Sequence, residues 1–329
     1  MSKKFARIAG LVLALAVAAL LLLQDQRTAR IPTPTGLHDP YTLQGVGAEP
    51  WEYDTNPLSG TLLYYSYEDR SICTSKTSVE LLCNEVPLFG WYQVELSPDG
   101  REYLIYDQGI NTITRYSLDG KVLGNLSTEG FHVWSINWAT VGGIYFTADK
   151  DGKSQIWRWD GKNNGFIGLM LLESCDLDEY QQVTNSRVAY LSYCRPDPTF
   201  VIIDFQSNTQ TEAISQPGYG KFASLHQFVY QKSDAGDMWV VSILDQQHKR
   251  LVQGPIWHGK FDVLDMQVSW ISPTGIYWLN IEEGQANLVD VNKIIDTSQS
   301  TNNIAWLDTN HIVVGDEGNN TLTVIEIDN

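Results

Sequence analysis

Several signatures of catalytic and metal-binding proteins are absent from this sequence of 329 residues. It has no G-x-S-x-G motif, no glycine-rich phosphate loop and no H-E-x-x-H motif, so the serine hydrolase, nucleotide-binding and zinc protease classes lack support. Its four cysteines lack the C-x-x-C spacing of common redox and zinc sites. The sequence therefore predicts no catalytic, cofactor-binding or metal-ligating set, and it favours a non-enzymatic role over an enzymatic one.

Basic residues are scarce, with 22 Lys and Arg against 39 Asp and Glu, a formal net charge of −17. Five of the basic residues but only one acidic residue fall in the first 30 positions, so the remainder is more acidic still. Such a charge repels phosphate backbones and anionic lipid heads, which argues against a nucleic-acid partner. It favours basic protein partners or cations, although solubility alone is the simpler explanation.

Sustained helical periodicity is also missing after the first 30 residues, and short β-prone runs take its place. The clearest case is residues 94–126, where the runs 102–107 and 112–118 are bounded by Ser-Pro-Asp-Gly at 97–100 and Asp-Gly at 119–120. Asp-Gly supplies the positive φ of tight hairpin turns, and Pro presets φ at an early turn position. This stretch therefore predicts short antiparallel strands joined by hairpins.

A second unit, residues 133–169, repeats the same order of strands and turns, and a period of about 40 residues is typical of propeller blades. The segments SPDGREYLIYDQ, ITRYSLDGK and FTADKDGKSQIWRWDGK resemble the repeats of the TolB-type, WD40-like β-propeller family. The resemblance implies a fold and an interaction platform in envelope maintenance, secretion or sensing, and it carries no catalytic residue. The sequence departs from TolB in lacking a recognisable N-terminal α/β domain, so a direct role in the Tol system is not expected.

We predict an all-β propeller of seven four-stranded blades over residues 51–329, with six or eight blades as alternatives. The expected blade extents are 51–86, 90–127, 131–172, 178–216, 219–254, 262–292 and 301–328. The last unit holds only three candidate strands. Residues 41–46 are expected to supply the fourth, which would join the two chain ends and remove the exposed sheet edges.

The N-terminal segment, residues 1–27, predicts a membrane anchor. Lys3, Lys4 and Arg7 flank the start of an uninterrupted apolar run over 8–23, which orients the N-terminus to the cytoplasm and exports the rest. An uncleaved transmembrane signal-anchor is favoured over a removed signal peptide, because cleavage at the small-residue pairs would expose a Leu-rich end. We expect a bacterial inner-membrane protein with a single span and most of the chain in the periplasm.

Residues 28–50 contain four prolines and little apolar periodicity, which predicts an extended stalk between the anchor and the propeller. The candidate closing strand over 41–46 lies inside it.

Four cysteines in an exported chain predict two disulfides. Cys73 and Cys83 flank one expected hairpin, and Cys175 and Cys194 flank another, so we favour these two local pairs. The other two connectivities would link the first and fourth blades and stay open as alternatives.

The six histidines show no ligand spacing. His132 and His226 are expected to begin inner strands and could face a central channel, where a metal could bind; a structural role is the favoured interpretation. The acidic stretches 149–152 and 316–320 could offer oxygen ligands to Ca²⁺, but both fall where a turn is needed. Acidic residues at 176, 178 and 179 could suggest glycosidase carboxylates, whose spacing in space the sequence cannot supply.

Three functions follow as hypotheses. The leading one is a non-enzymatic, membrane-anchored scaffold that binds envelope proteins. The second is a carbohydrate-binding or hydrolytic propeller with its site at the channel mouth. The third is a sensory ectodomain that works through another membrane protein. A deep pocket with convergent carboxylates would favour the second hypothesis, and a face with exposed aromatic residues would favour the first.

Overall fold

The computed structural model describes residues 41–76, 79–138, 143–161, 166–171, 182–184, 187–192, 199–204, 209–215, 217–224, 226–232, 236–242, 247–257, 259–284, 286–289 and 302–327. Every regular element in these ranges is a β-strand, and none of their residues belongs to a helix able to cross a bilayer. The predicted anchor over 1–27 and the stalk up to residue 40 lie outside the described residues, as do Cys175 and Cys194.

The strands follow in chain order. They are β1 Tyr41–Gln44, β2 Tyr53–Asn56, β3 Thr61–Ser66, β4 Ser71–Lys76, β5 Val79–Glu85, β6 Tyr92–Leu96, β7 Glu102–Asp107, β8 Thr112–Ser117, β9 Val122–Ser127, β10 His132–Trp138, β11 Ile144–Lys150, β12 Lys153–Trp159, β13 Phe166–Leu171, β14 Gln182–Thr184, β15 Arg187–Ser192, β16 Thr199–Asp204, β17 Thr209–Ser215, β18 Pro217–Phe222, β19 Gln227–Lys232, β20 Met238–Ser242, β21 His248–Val252, β22 Phe261–Leu264, β23 Gln267–Ser272, β24 Gly275–Asn280, β25 Ala286–Val289, β26 Asn302–Asp308, β27 His311–Asp316 and β28 Thr321–Glu326.

These strands form seven four-stranded antiparallel sheets, six of which are meanders of four consecutive strands, from β2–β5 to β22–β25. We number the sheets one to seven in this order, the seventh being β26, β27, β28 and β1. The first strands of the sheets contact one another in the cyclic order β2, β6, β10, β14, β18, β22, β26 and back to β2. The sheets therefore surround a common axis, which confirms the predicted all-β propeller.

The seventh sheet takes its outermost strand from the start of the described chain. Strand β1 pairs with β28 in the register Tyr41 to Val324 and Gln44 to Thr321. The strand ends at Gln44, two residues short of the predicted 41–46, because Gly45 turns the chain with a φ of 68°. Val46 then donates its N–H to Asn320 O at 3.1 Å and bridges to the first sheet. Both ends of the described chain therefore meet in one sheet.

The core lies between neighbouring sheets. In the part of the chain that the structure describes, large apolar side chains fill the interfaces between sheets one and two, two and three, five and six, six and seven, and seven and one. Trp159 and Trp306 are fully buried. Trp138 and Trp270 are buried as well, as expected for aromatic residues that pack between sheets. Other tryptophans lie at the channel, outside this core.

Strands β4 and β5 place Cys73 directly opposite Cys83, and the two residues are joined by a disulfide with a Cα–Cα distance of 4.1 Å. This is one of the two local pairs that the sequence predicts.

Candidate functional site

A cavity of about 530 Å³ lies on the axis of the ring. Strands β2, β6, β10, β18, β22 and β26 all contribute to its wall. Strand alternation selects the lining residues. In β6, for example, Tyr92, Val94 and Leu96 are buried between sheets, whereas Gln93 and Glu95 face the cavity. The wall consequently combines polar and charged side chains with apolar ones.

Three carboxylates in this wall also join neighbouring sheets. Each of the three accepts a hydrogen bond from a backbone N–H on the first strand of the next sheet. The pairs are Asp54 Oδ2 with Leu96 N at 2.6 Å, Asp262 Oδ2 with Trp306 N at 2.7 Å, and the Glu95 carboxylate with Trp138 N. The same groups that line the cavity therefore hold the ring together.

Two of the cavity's carboxylates have a cationic partner. Lys221 Nζ lies 2.5 Å from Asp262 Oδ1, and Lys260 Nζ lies 3.3 Å from Glu317 Oε1. Asp54 and Glu95 form no ion pair with any basic side chain in the described ranges. The wall therefore contains two charge-balanced pairs and two carboxyl groups without a direct counter-ion.

The cavity shifts the protonation of these groups. Burial raises the pKa of Asp54 to about 7, although hydrogen bonds from Leu96 and Thr55 oppose the shift. Burial and the neighbouring Asp54 charge raise the pKa of Glu95 well above its usual range. Burial alone would lower the pKa of Lys221, but Asp262 reverses this effect and the pKa is raised. Lys221 therefore stays charged while Asp54 and Glu95 hold protons more readily than exposed carboxyls.

One end of the cavity is rimmed by the indoles of Trp51, Trp91 and Trp134. The ring centroids of Trp51 and Trp91 are 6.1 Å apart. This end is formed by the loops that precede the first strand of each sheet. We call it the mouth of the cavity, and the ring surface around it the mouth face.

The mouth continues outward into an apolar surface made of the exposed Phe89, Trp91 and Ile110 and the half-buried Trp51, which we call the mouth patch. Phe89 is 64% exposed and Ile110 is 51% exposed. The two loops of the second sheet that carry them touch at Gly109, where a Cβ would lie 2.3 Å from the Phe89 carbonyl carbon. Gln108 N also donates to Trp91 O at 2.8 Å. These contacts hold the aromatic residues outward.

Charged residues border the mouth patch on the same face. Glu68 and Asp69 are exposed in the turn between β3 and β4, and Asp151 is exposed in the turn between β11 and β12. Both turns connect the second and third strands of their sheets and so open toward the mouth face. Arg70 and Lys153 are exposed beside these acidic residues, so the border carries charges of both signs.

The two histidines that could have faced the channel are not among the residues that line the cavity. His132 begins β10 as expected, but its ring is exposed and lies edge-on to Trp134 at 4.2 Å. The expectation for His226 is wrong, because it lies in the turn between β18 and β19. The first strand of the fifth sheet is Pro217–Phe222 instead, where Gly220 lets Phe228 approach closely. No group of three or more His, Cys, Asp or Glu in the described part of the chain could hold a metal.

The candidate calcium stretches are turns. Asp151 and Gly152 both have positive φ in the turn between β11 and β12, and Asp149 accepts a hydrogen bond from Ser154 Oγ. Asn319 N donates to Asp316 Oδ1 in the turn between β27 and β28. The acidic residues at 176, 178 and 179 lie outside the described residues.

The sequence analysis missed the wall residues Asp54, Glu95, Lys221 and Asp262. Their signal is a single charged residue inside a short β-prone run, as in Tyr53–Asn56 and Phe261–Leu264. A charge in such a run points either to solvent or to the channel. The charge can be placed in the channel only when that run is known to be the first strand of its sheet.

No protein-family model matches this chain, and no curated protein matches it. Solved structures do resemble it. An oligogalacturonate lyase in complex with manganese superposes with a TM-score of 0.64 at 12% identity, covering 92% of this chain and 94% of that one. The β-propeller domain of Cps50 (Swd1) from Myceliophteria thermophila gives 0.59 at 11% identity, covering 90% and 100%. A streptogramin B lyase gives 0.59 at 10% identity, covering 88% and 98%.

The fold and these likenesses define the class, and this chain is a β-propeller protein. At such low identities the likenesses concern the fold alone, since one fold supports many functions. Membership of the TolB-type family stays a prediction from the repeat motifs.

Proposed function

We propose that this chain is a non-enzymatic binding platform of the cell envelope that engages a protein partner through its mouth face. The observation that carries the proposal is the mouth patch. Isolated exposed apolar residues are ordinary on protein surfaces, but adjacent aromatic and aliphatic side chains held outward by contacting loops are typical of interaction sites. Trp91 also stands at the entrance of the cavity, where it would be buried on binding.

The net charge of the chain indicates the chemistry of the partner. It is −17, and Glu68, Asp69 and Asp151 contribute to it at the border of the mouth patch, beside the basic Arg70 and Lys153. The negative electrostatic field of the chain favours a basic partner, because it raises the rate of association with such a partner and disfavours acidic competitors. We therefore propose a partner segment with an apolar or aromatic side chain next to Lys or Arg residues.

We also propose that the chain is anchored in a membrane. Residues 1–27 would anchor the chain in the bacterial inner membrane by a single span, with the propeller in the periplasm. The charge pattern around residues 8–23 and the Cys73–Cys83 disulfide support this assignment.

Affinity capture of the full chain from membranes, with two matched variants, tests the proposal. Phe89→Ala/Trp91→Ala should reduce recovery of the partner about tenfold or more, because central aromatic residues commonly contribute at least 2 kcal/mol to binding. The control variant Val122→Ala/Leu288→Ala also truncates two exposed apolar residues, but these lie on β9 and β25. It should leave recovery of the partner unchanged. Equal loss in both variants, or no loss in either, would contradict the proposal.

A second candidate is carbohydrate binding or hydrolysis at the mouth, which is favoured by the indoles above the cavity and by the neighbouring Asp54 and Glu95. Turnover of a glycan by the purified full chain, lost in Glu95→Gln, would favour this second candidate over the platform.

A further inference from the structure

We propose that the axial cavity is a binding site for an organic cation, an alkylammonium or guanidinium group, whether this group belongs to a free amine or to a Lys or Arg side chain of a partner. The proposal goes beyond the platform function, because it assigns a ligand to the interior of the ring and does not require a protein partner.

The arrangement of the mouth favours the entry of a cation. A cation that enters the cavity passes the indoles of Trp51, Trp91 and Trp134, and indole faces attract cations more strongly than other side-chain rings do. The chain already uses this interaction elsewhere. Lys150 Nζ lies 4.5 Å from the ring centroid of Phe131, and Lys232 Nζ lies 4.4 Å from the ring centroid of Trp239.

The distribution of charge inside the cavity also favours a cation. Lys221 and Lys260 are already engaged by Asp262 and Glu317. Asp54 and Glu95 line the cavity without a direct counter-ion in the described part of the chain, and besides burial the charge of Asp54 raises the pKa of Glu95 by repulsion. A bound cation would relieve that repulsion, since an opposite charge within a few ångströms stabilises a partly buried carboxylate.

The carboxylates of the wall offer more acceptor capacity to a ligand than two of its amides do. The amides of Gln93 and Asn303 are engaged within the protein. Gln93 Oε1 accepts from Ile136 N at 3.1 Å while Gln93 Nε2 donates to Ile136 O at 3.2 Å. Asn303 Nδ2 donates to Glu317 Oε1 at 2.5 Å, and Asn303 Oδ1 accepts from Lys260. The carboxylates retain the largest unused capacity for a ligand, and carboxylates prefer a cation.

Titration of the purified full chain in detergent with putrescine, followed by calorimetry and tryptophan fluorescence, tests the proposal. Putrescine should bind and change the indole emission, while the neutral isostere butane-1,4-diol should not. Asp54→Asn/Glu95→Gln should weaken putrescine binding about tenfold or more, which corresponds to about 1.4 kcal/mol. Glu282→Gln/Glu283→Gln removes the same charge from an exposed turn and should leave affinity within about twofold.

The pH dependence provides a further readout. Asp54 is faced by Lys221, Asp262 and Glu95, and Glu95 is faced by Asp54 and Lys221. Because the pair must lose its proton to accept a cation, affinity should rise as pH increases through about 7 and should fall in acid. The double variant should lack this dependence.

A parallel titration compares a short lysine-containing peptide with the same peptide carrying acetyl-lysine. Tighter binding of putrescine than of the lysine-containing peptide assigns the site to free amines. Tighter binding of the unacetylated peptide than of putrescine, with loss of binding on acetylation, assigns it to a partner's side chain. Equal binding of diamine and diol, or an unchanged affinity in Asp54→Asn/Glu95→Gln, would overturn the proposal. If that double variant fails to fold, Trp91→Ala replaces it, with the same expected loss. Failure here leaves the capture experiment on the mouth patch unaffected.

Discussion

Replacing Lys221 with methionine should lower the free energy of unfolding by about 3–5 kcal/mol, because removal of one partner strands the other charge in the interior. Lys221 lies 2.5 Å from Asp262, whose side chain is only 12% exposed. Asp262 cannot move to solvent without cost, because its second oxygen accepts the Trp306 N–H at 2.7 Å. Denaturant unfolding followed by tryptophan fluorescence measures the loss.

The double variant Lys221→Met/Asp262→Asn is the control. Its amide oxygen can still accept the Trp306 N–H, but no uncompensated charge remains. We expect it to recover a large part of the lost stability. A cost below about 1 kcal/mol for Lys221→Met, as in an exposed ion pair, would show that the pair is not desolvated.

Deleting Tyr41–Gln44 should cause the second large effect, a loss of about 2–4 kcal/mol. The deletion removes the outer strand of the seventh sheet and uncovers Leu322 and Val324, which are buried, and burial of one such side chain contributes about 1.5–3 kcal/mol. It also leaves β28 as a free sheet edge, which promotes association between chains. Thermal unfolding and light scattering together measure both consequences.

Deletion of residues 33–36 shortens the chain by the same number of residues ahead of the propeller and serves as the control. It should leave the unfolding midpoint unchanged. Equal midpoints for both deletions would mean that the ring does not depend on β1 for its stability.

Local turn chemistry explains why much of the fold can be predicted from the sequence. Ser-Pro-Asp-Gly separates β6 from β7 and Asp-Gly separates β8 from β9, because the required φ values depend only on neighbouring residues. Cross-strand placement of Cys73 and Cys83 follows from the same hairpin reasoning. In the fifth sheet the turns are less marked, and there the prediction for His226 fails.

The candidate site could not be predicted in the same way. Asp54 and Asp262 lie more than 200 positions apart, and both face one cavity only because the ring closes. The pKa of Asp54 and the charge balance of Asp262 depend on distances to backbone N–H groups of the next sheet and to Lys221. Such contacts between sheets leave no periodic signal in the sequence. The mouth patch likewise depends on two loops of the second sheet that meet at Gly109.

Site-specific photo-crosslinking in cells tests the central claim, that the mouth face is the binding surface, most directly. A photoreactive phenylalanine analogue at position 89 should give one discrete crosslinked protein. The same analogue at position 288, an exposed site on β25, should give none. Crosslinking from position 288 with none from position 89 would contradict the account.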